Sequence, residues 1–308
     1  MRSLFLLFAA VALSGVAFAE CPTPPAVQRD IIADSYYDDP PTYSHIDPVK
    51  HAQYEAAVGP IEAYLAGVAK MASGGDADCT LRWLVAWAEG DALLGKIKKE
   101  QAHYERKWVL AGLALSYAKV RPAASRDQQA AIDTWLQAIA DGVMKHSDAF
   151  KGERNNHYYW EGLAVAATGA VTGNKRDVDW GRKVFAYAET QIAADGALPR
   201  EMKRGARALH YHLFAAAPLA MLESILDIQS PKFGKLAEFA WHAGPKSVTA
   251  RAGADQIGVL DDDYDWVIIY RRHRGVNYLF ADQSMRTPYV NRMGGALDKP
   301  NPLEHVAN

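Results

Sequence analysis

From about residue 47 to residue 243, Ala-rich stretches with apolar residues at helical spacing follow one another, and strand-like alternation is scarce. They run roughly 47–72, 79–98, 101–120, 126–146, 157–172, 176–193, 200–227 and 232–243. Only short punctuation separates them: Ser73-Gly74-Gly75, Arg121-Pro122, Thr172-Gly173-Asn174, and Asp195-Gly196-Ala197-Leu198-Pro199. Short links between long helices force antiparallel hairpins. With no Pro-rich or Ser-rich linker in the series, the expectation is one all-α domain, its hairpins packed side by side around a common axis or in a simple bundle. The stretch 20–46 is different, because Pro22, Pro24, Pro25, Pro40 and Pro41 forbid a continuous helix while Tyr36, Tyr37 and Tyr43 load it with rings. It reads as an ordered flap, with 30–46 as a lid. The last sixty residues read as mixed coil and short helix.

The N-terminus carries an address. Met1-Arg2 is a short positive start, Leu4 to Phe18 is almost wholly apolar, and Ala17-Phe18-Ala19 is a small-x-small cleavage site. Residues 1–19 are therefore expected to be a secretory signal peptide, leaving a 20–308 domain in the periplasm. The apolar run is shorter than the ~20 residues that a membrane span needs, so no membrane association is expected after cleavage. Cys21 and Cys79 are the two cysteines of the chain, and an even count in an oxidising compartment suggests one disulfide. A formal charge of −2 on 308 residues argues against a nucleic-acid partner, and a monomer is expected.

No G-x-G-x-x-G, P-loop, G-x-S-x-G or HExxH is present. His210 and His212 lie two apart, about 200° around a helix, and cannot share an ion. More informative is the run from Leu198 to His212. On a continuous helix Arg200, Arg204, Arg207 and Tyr211 fall at about 0°, 40°, −20° and 20°, a narrow stripe of three guanidiniums and a phenol. Like charges so placed repel, and cations near a helix N-terminus oppose its dipole, so an anion should compensate. A solvated basic face balanced by Glu161, Glu189 or Glu201 is the competing explanation. A second cluster reads Asn155-Asn156-His157-Tyr158-Tyr159-Trp160-Glu161. One asparagine suits an N-cap; the second, with His157 and three successive rings, suits a sugar cleft, where rings stack on pyranose faces and amides read hydroxyls and carboxylates. Trp83, Trp87, Trp135 and Trp180 read as core, and Trp160, one turn beyond His157, as a sugar-stacking face. Tyr104 and Lys107 are candidates to line the cleft from a facing helix, and Arg271-Arg272-His273-Arg274 reads as solvated surface.

Asn155-Asn156-His157-Tyr158-Tyr159-Trp160, followed by Leu198-Pro199, Glu201-Met202-Lys203-Arg204, Arg207-Ala208-Leu209 and Tyr211-His212, resembles the alginate lyases of polysaccharide lyase family 5, which are poly(β-D-mannuronate) lyases. The intervals of 204 − 157 = 47 residues and of seven residues from Arg204 to Tyr211 are similar to the family's as well. Cys79 to Trp87, Arg106-Lys107-Trp108 and Arg292 with Gly294-Gly295 extend the likeness over nearly all of the mature chain. The resemblance implies an incomplete (α/α) toroid of antiparallel helical hairpins, an N-terminal lid, and β-elimination of an anionic polyuronate without metal or other cofactor. It implies that Asn156 and Arg204 neutralise the uronate carboxylate and that His157 and Tyr211 handle protons. Arg292 would hold a neighbouring carboxylate and Tyr37 would reach the substrate from the lid, with Tyr104, Trp160, Lys203, Arg207 and His210 along the same track.

The chemistry suits these residue types. H5 is α to a carboxylate and only weakly acidic while that group stays charged. Arginine and amide donors stabilise the dianion that develops, each worth on the order of 3 kcal/mol. In β-D-mannuronate H5 and O4 lie on one face, so Tyr211 can take the proton and return it, and Arg204 and Arg207 are expected to lower its pKa. His157 is the alternative base, suited to a substrate whose H5 points the other way. The segment Asp34 to Pro40 is shorter and more acidic than the family's basic lid and lacks a lysine near Tyr36, and His210 precedes the tyrosine. These departures open polyglucuronate or hyaluronan as alternative substrates. A non-catalytic polysaccharide-binding protein, or a glycoside hydrolase using carboxylates among Glu153, Glu161, Glu201 and Asp261 to Asp263, would compete for the same residues.

Overall fold

The computed structural model describes residues 21–40, 42–242, 244–276 and 287–305. The expected signal peptide lies outside the described residues. Asp47 opens the helical part: its Oδ1 accepts the N–H groups of Val49 at 2.8 Å and Lys50 at 3.0 Å, and Pro48 takes the first helical position of α1 (Pro48–Ser73). Side-chain caps repeat along the chain. Asp76 caps α2 (Ala77–Glu89), a Ser125–Gln128 capping box starts α4 (Arg126–Ala149), and Asn155 and Asn174 start α5 (Asn156–Thr172) and α6 (Lys175–Gln191). α3 (Glu100–Val120) lies between α2 and α4. Gly173, at φ 79°, ends α5 in the left-handed conformation that its turn requires. The short α7 (Pro199–Met202), α8 (Ala208–Ile225), α9 (Pro231–Ala237), α10 (Gly244–Ala252) and α11 (Val267–Arg274) complete the series. Among the described residues no helix is long and apolar enough to cross a membrane.

Burial separates inner from outer helices. α3, α5 and α8 are buried on nearly every side, whereas α4 and α6 bury one face and offer the other to water. α5 packs against α3, α4, α6 and α8, and α3 against α1, α2, α4 and α5. The result is an incomplete (α/α) toroid of antiparallel hairpins. Trp83, Trp87 and Trp135 are buried in its core.

Among the described residues, four short strands accompany the helices. β1 (Ile31–Ile32) pairs in parallel with β2 (Ile97–Lys98), and β3 (Tyr289–Val290) pairs antiparallel with β4 (Gly295–Ala296). The first pair corrects the expected helix over 79–98, which stops at Glu89. After Gly90 the backbone takes positive φ at Asp91 and Leu93, and the N-terminal segment captures it: Leu93 N–H donates to Gln28 O and Gly95 N–H to Arg29 O, both at 2.9 Å. Long-range pairing overrides helical spacing there. The same segment is tied to α2 by a Cys21–Cys79 disulfide and by the indoles of Trp83 and Trp87, which donate to Pro22 O at 2.7 Å and Pro25 O at 3.0 Å.

The expected helix over 200–227 is also broken. α7 ends at Met202, Gly205 turns at φ 57°, and a 3-10 turn leads into α8. Arg271 to Arg274 is not a solvated surface. Arg272 makes a bidentate pair with Glu304, Arg274 pairs with buried Glu223 at 2.6 Å, and His273 bridges the carbonyls of His305 and Ile228. These contacts clamp the C-terminal segment to the toroid. Lys119 of α3 adds to the clamp, donating to Gly294 O at 2.7 Å and Ala296 O at 3.2 Å, so the loop that carries Arg292 is anchored.

Candidate active site

Among the described residues, three neighbouring hollows share walls. The central one, ≈ 440 Å³, is lined by the lid, the N-terminal turns of α3 and α5, the turn after α7, and α8. A second, ≈ 400 Å³, shares Phe214, Asp263 and Arg292 with it; a third, ≈ 510 Å³, shares Asp34, Ser35, Tyr37 and Tyr54 on the lid side. A groove of this extent suits a chain of sugars better than a single small molecule.

His157, Arg204, Arg207, His210 and Tyr211 all line the central hollow, with Tyr37, Tyr104 and Arg292. The break after α7 brings the basic groups to Tyr211 by a different route from the expected stripe. Arg204 and Arg207 hold their guanidinium carbons 4.6 Å and 5.4 Å from the Tyr211 ring centroid. Arg200 leaves the set, pairing with Glu153 and donating to Arg154 O at 3.0 Å. His157 stacks on Tyr104 at 3.6 Å, and its buried Nδ1 has no hydrogen-bond partner among the described residues. Arg292 lies 4.1 Å over the Trp108 ring and 3.6 Å from Glu62. His210 Nδ1 is 3.3 Å from Asp263 Oδ2.

The lid is a small hairpin. Tyr37 bridges to Ile46, and the Asp39 carboxylate accepts the N–H groups of Ser44 and His45 and the Thr42 hydroxyl. Arg207 fastens it down, donating to the Tyr37 hydroxyl at 3.0 Å and to Tyr43 O at 2.7 Å. The lid lacks its own lysine, but Lys99 reaches Asp34 at 3.2 Å from the end of β2.

Burial dominates the protonation of both proton-handling candidates. It pushes the Tyr211 phenol up to about 12 against the downward pull of Arg207 and Arg204, so the expected lowering does not hold in the unliganded cleft. Burial also drives the His157 imidazole well below its ordinary value, and Lys107, Arg204 and Arg292 add to the effect. Both groups are therefore neutral in the free protein near pH 7.

Several expected site residues sit elsewhere. Asn156 is fully buried one layer behind the wall, its side-chain N–H donating to Glu201 at 3.0 Å, while Asn155, read as a cap, both caps α5 and faces the hollow. Trp160 lines the second hollow, but it is 2% exposed and donates its indole N–H to Phe214 O at 3.1 Å, so little of its ring is open for stacking. Lys203 is exposed to solvent outside the hollows. Lys107 is buried beneath Tyr104, its ammonium 4.2 Å from the ring centroid and 3.5 Å from Glu161. Asp263, Trp108, Tyr43 and Phe214 join the wall unannounced by local spacing. For Tyr43 the signal is the ring-loaded lid; Asp263 belongs to the carboxylate run 261–263 named above, but its meeting with His210 across 53 residues has no local signature.

A family model described as alginate lyase matches residues 32–251. A polysaccharide lyase of Stenotrophomonas maltophilia is 43% identical over 305 residues, covering 92% of this chain and 91% of that one. An alginate lyase of Cobetia marina is 42% identical over 159 residues, so the chain spans about two fifths (42%) of that relative's length. Among solved structures, a histidine-to-alanine variant of alginate lyase A1-III complexed with a tetrasaccharide superposes with a TM-score of 0.72 at 22% identity, over 89% of this chain and 83% of that one. The fold agrees with theirs, and by the family match and the full-length relative this chain belongs to the alginate lyase family.

Proposed function

We propose that this lyase is an exported, periplasmic monomer that cleaves the mannuronate blocks of alginate by cofactor-independent β-elimination. The observation that carries this reading is the convergence of two guanidiniums on one phenol, beside a bare imidazole, in a groove long enough for a polymer.

Arg204 would face the uronate carboxylate, with the Asn155 amide beside it on the wall and Asn156 one layer behind. Withdrawing charge from the carboxylate acidifies H5 and stabilises the dianion once C5 loses its proton. Tyr211 would act as the base in its ionised form, which Arg204 and Arg207 favour. The phenolate takes H5, the C4–C5 double bond forms as the C4–O4 bond breaks, and the same proton passes from the phenol to the departing O4. On a C5-epimeric sugar H5 lies on the other face; there the neutral His157, with its unpartnered Nδ1, would take H5 while Tyr211 supplies the proton to O4. Arg292 would hold the carboxylate of an adjoining sugar.

Glucuronate differs from mannuronate only at C2, so its H5 and O4 also share a face, whereas guluronate is the C5 epimer. Purified mature protein assayed by the ultraviolet absorbance of the 4,5-unsaturated uronate against polymannuronate, polyguluronate, polyglucuronate and hyaluronan tests the proposal. Highest turnover on polymannuronate and little on polyguluronate are expected; no unsaturated product from any of the four would overturn it. Cell fractionation with N-terminal sequencing should place a chain beginning at Glu20 in the periplasm.

A further inference from the structure

Glu201 stands at a junction that the elimination chemistry leaves unused. It is 1% exposed, and its carboxylate ties its own turn, through Arg204, to Asn156, which lies 45 residues before it in sequence. Oε1 accepts the backbone N–H of Asn156 at 3.2 Å and its side-chain N–H at 3.0 Å, while Oε2 accepts the Nε–H of Arg204 at 3.4 Å. One end of this brace is the first turn of α5, which carries His157 as the next residue. The other end is the guanidinium 4.6 Å from the Tyr211 ring.

A buried carboxylate is a costly choice beside a groove for a polyanion. It must be desolvated, and it opposes the approach of every uronate. A glutamine of the same shape would still accept from Asn156 without repelling substrate, so packing alone does not explain an acid here. What the acid adds is a second charge-assisted bond, to Arg204, and a negative charge beside the site's cations.

We infer, on the lyase reading above, that Glu201 is a positioning residue that fixes the first turn of α5 and Arg204 as one unit and sets the net charge this unit presents to Tyr211. The groups around that phenol are Arg204 and Arg207 from the turn before α8, the His210 ring at 5.2 Å with Asp263 behind it, and Tyr37 from the lid. Among them the two arginines draw the phenol down, and Glu201 and Tyr37 hold it up.

The test compares wild type, Glu201→Gln and Glu201→Asp for kcat, KM and the pH profile on polymannuronate, with melting curves alongside. Glu201→Gln should lower kcat about tenfold, for the loss of a charge-assisted bond. KM should not rise, because a repulsive charge has gone, and the rising limb set by ionisation of Tyr211 should move toward acid by roughly half a pH unit. Glu201→Asp keeps the charge but cannot span both partners, so kcat should fall with the limb in place. An unshifted limb in Glu201→Gln, whatever its melting temperature, overturns the inference, as does a wild-type kcat in Glu201→Asp should the glutamine variant fail to fold. If wild type makes no unsaturated product, the lyase reading fails instead. The ultraviolet titration of Tyr211, taken as the difference from Tyr211→Phe in each background, then still reads whether Glu201 sets its charge.

Discussion

Gly112 offers a way to move Arg292 without touching it. It lies in α3, where a Cβ would meet Asn291 O at 2.4 Å, Leu65 Cδ1 at 2.8 Å and Arg292 Cα at 3.2 Å. The nearest obstacle is a backbone carbonyl, which cannot rotate aside as a side-chain tip can. Retreat is blocked on the other side, because Lys119 holds Gly294 O and Ala296 O. Gly112→Ala must therefore displace Asn291 and Arg292 by about 1 Å. Overpacking of this kind costs about 1–3 kcal/mol, and replacing a helical glycine returns about 1 kcal/mol. The net loss is then up to about 2 kcal/mol, which corresponds to a melting midpoint lower by up to about 6 °C. The functional effect should be larger, since a misplacement of about 1 Å can cost up to ~100-fold in turnover efficiency. Thermal melts followed by circular dichroism, with kcat/KM on a polyuronate, check both. Gly59→Ala is the control: nothing lies within 4 Å of its Cβ, and it should raise stability by about 1 kcal/mol with unchanged kinetics. Wild-type melting and kinetics in Gly112→Ala would refute the reasoning, because the close approach of α3 to the Arg292 loop would then carry no constraint.

With Tyr211 as base, only the ionised phenol is active, so turnover on polymannuronate should climb with pH toward a value near 12; a profile flat above neutrality would instead mark His157, whose imidazole is already unprotonated there. Tyr37→Phe removes the hydroxyl that accepts from Arg207, a bond to a charged group worth about 1.5–3 kcal/mol, and should raise KM about tenfold and speed proteolytic cleavage within the lid. Replacing Cys21 and Cys79 together opens a crosslink spanning 58 residues and should cost about 4 kcal/mol in a denaturant melt. Its kcat at room temperature should hold, because the disulfide lies against α2 and walls none of the hollows.

The helical hairpins were legible because each rests on local chemistry: caps at Asp47, Ser125 and Asn155, a left-handed Gly173, and apolar spacing. What the spacing could not show is where distant chain competes with a helix. The segment after Glu89 keeps helical periodicity yet turns to pair with Ile31–Ile32, and Lys203 to Arg207 unwinds to bring Arg204 and Arg207 onto Tyr211. Arg204 and Arg207 do meet the Tyr211 ring, but across a turn and not along one unbroken helix. Depth was equally hidden. Two adjacent asparagines look alike in sequence, but α5 turns Asn155 to the groove and Asn156 to Glu201. Trp160 has the composition of a stacking platform and the burial of a core residue. The direction of the Tyr211 shift depended on weighing desolvation against two cations, and burial is a property of the whole fold.

Tyr211→Phe tests the central proton transfer most directly, because it removes a single oxygen and keeps the ring between Arg204 and Arg207. Unsaturated product from polymannuronate should fall by at least about 100-fold, the contribution of a general acid–base group, while polymer binding measured calorimetrically stays near that of wild type. Turnover within about threefold of wild type in that variant, far short of the loss expected of such a group, would contradict a proton carried by Tyr211.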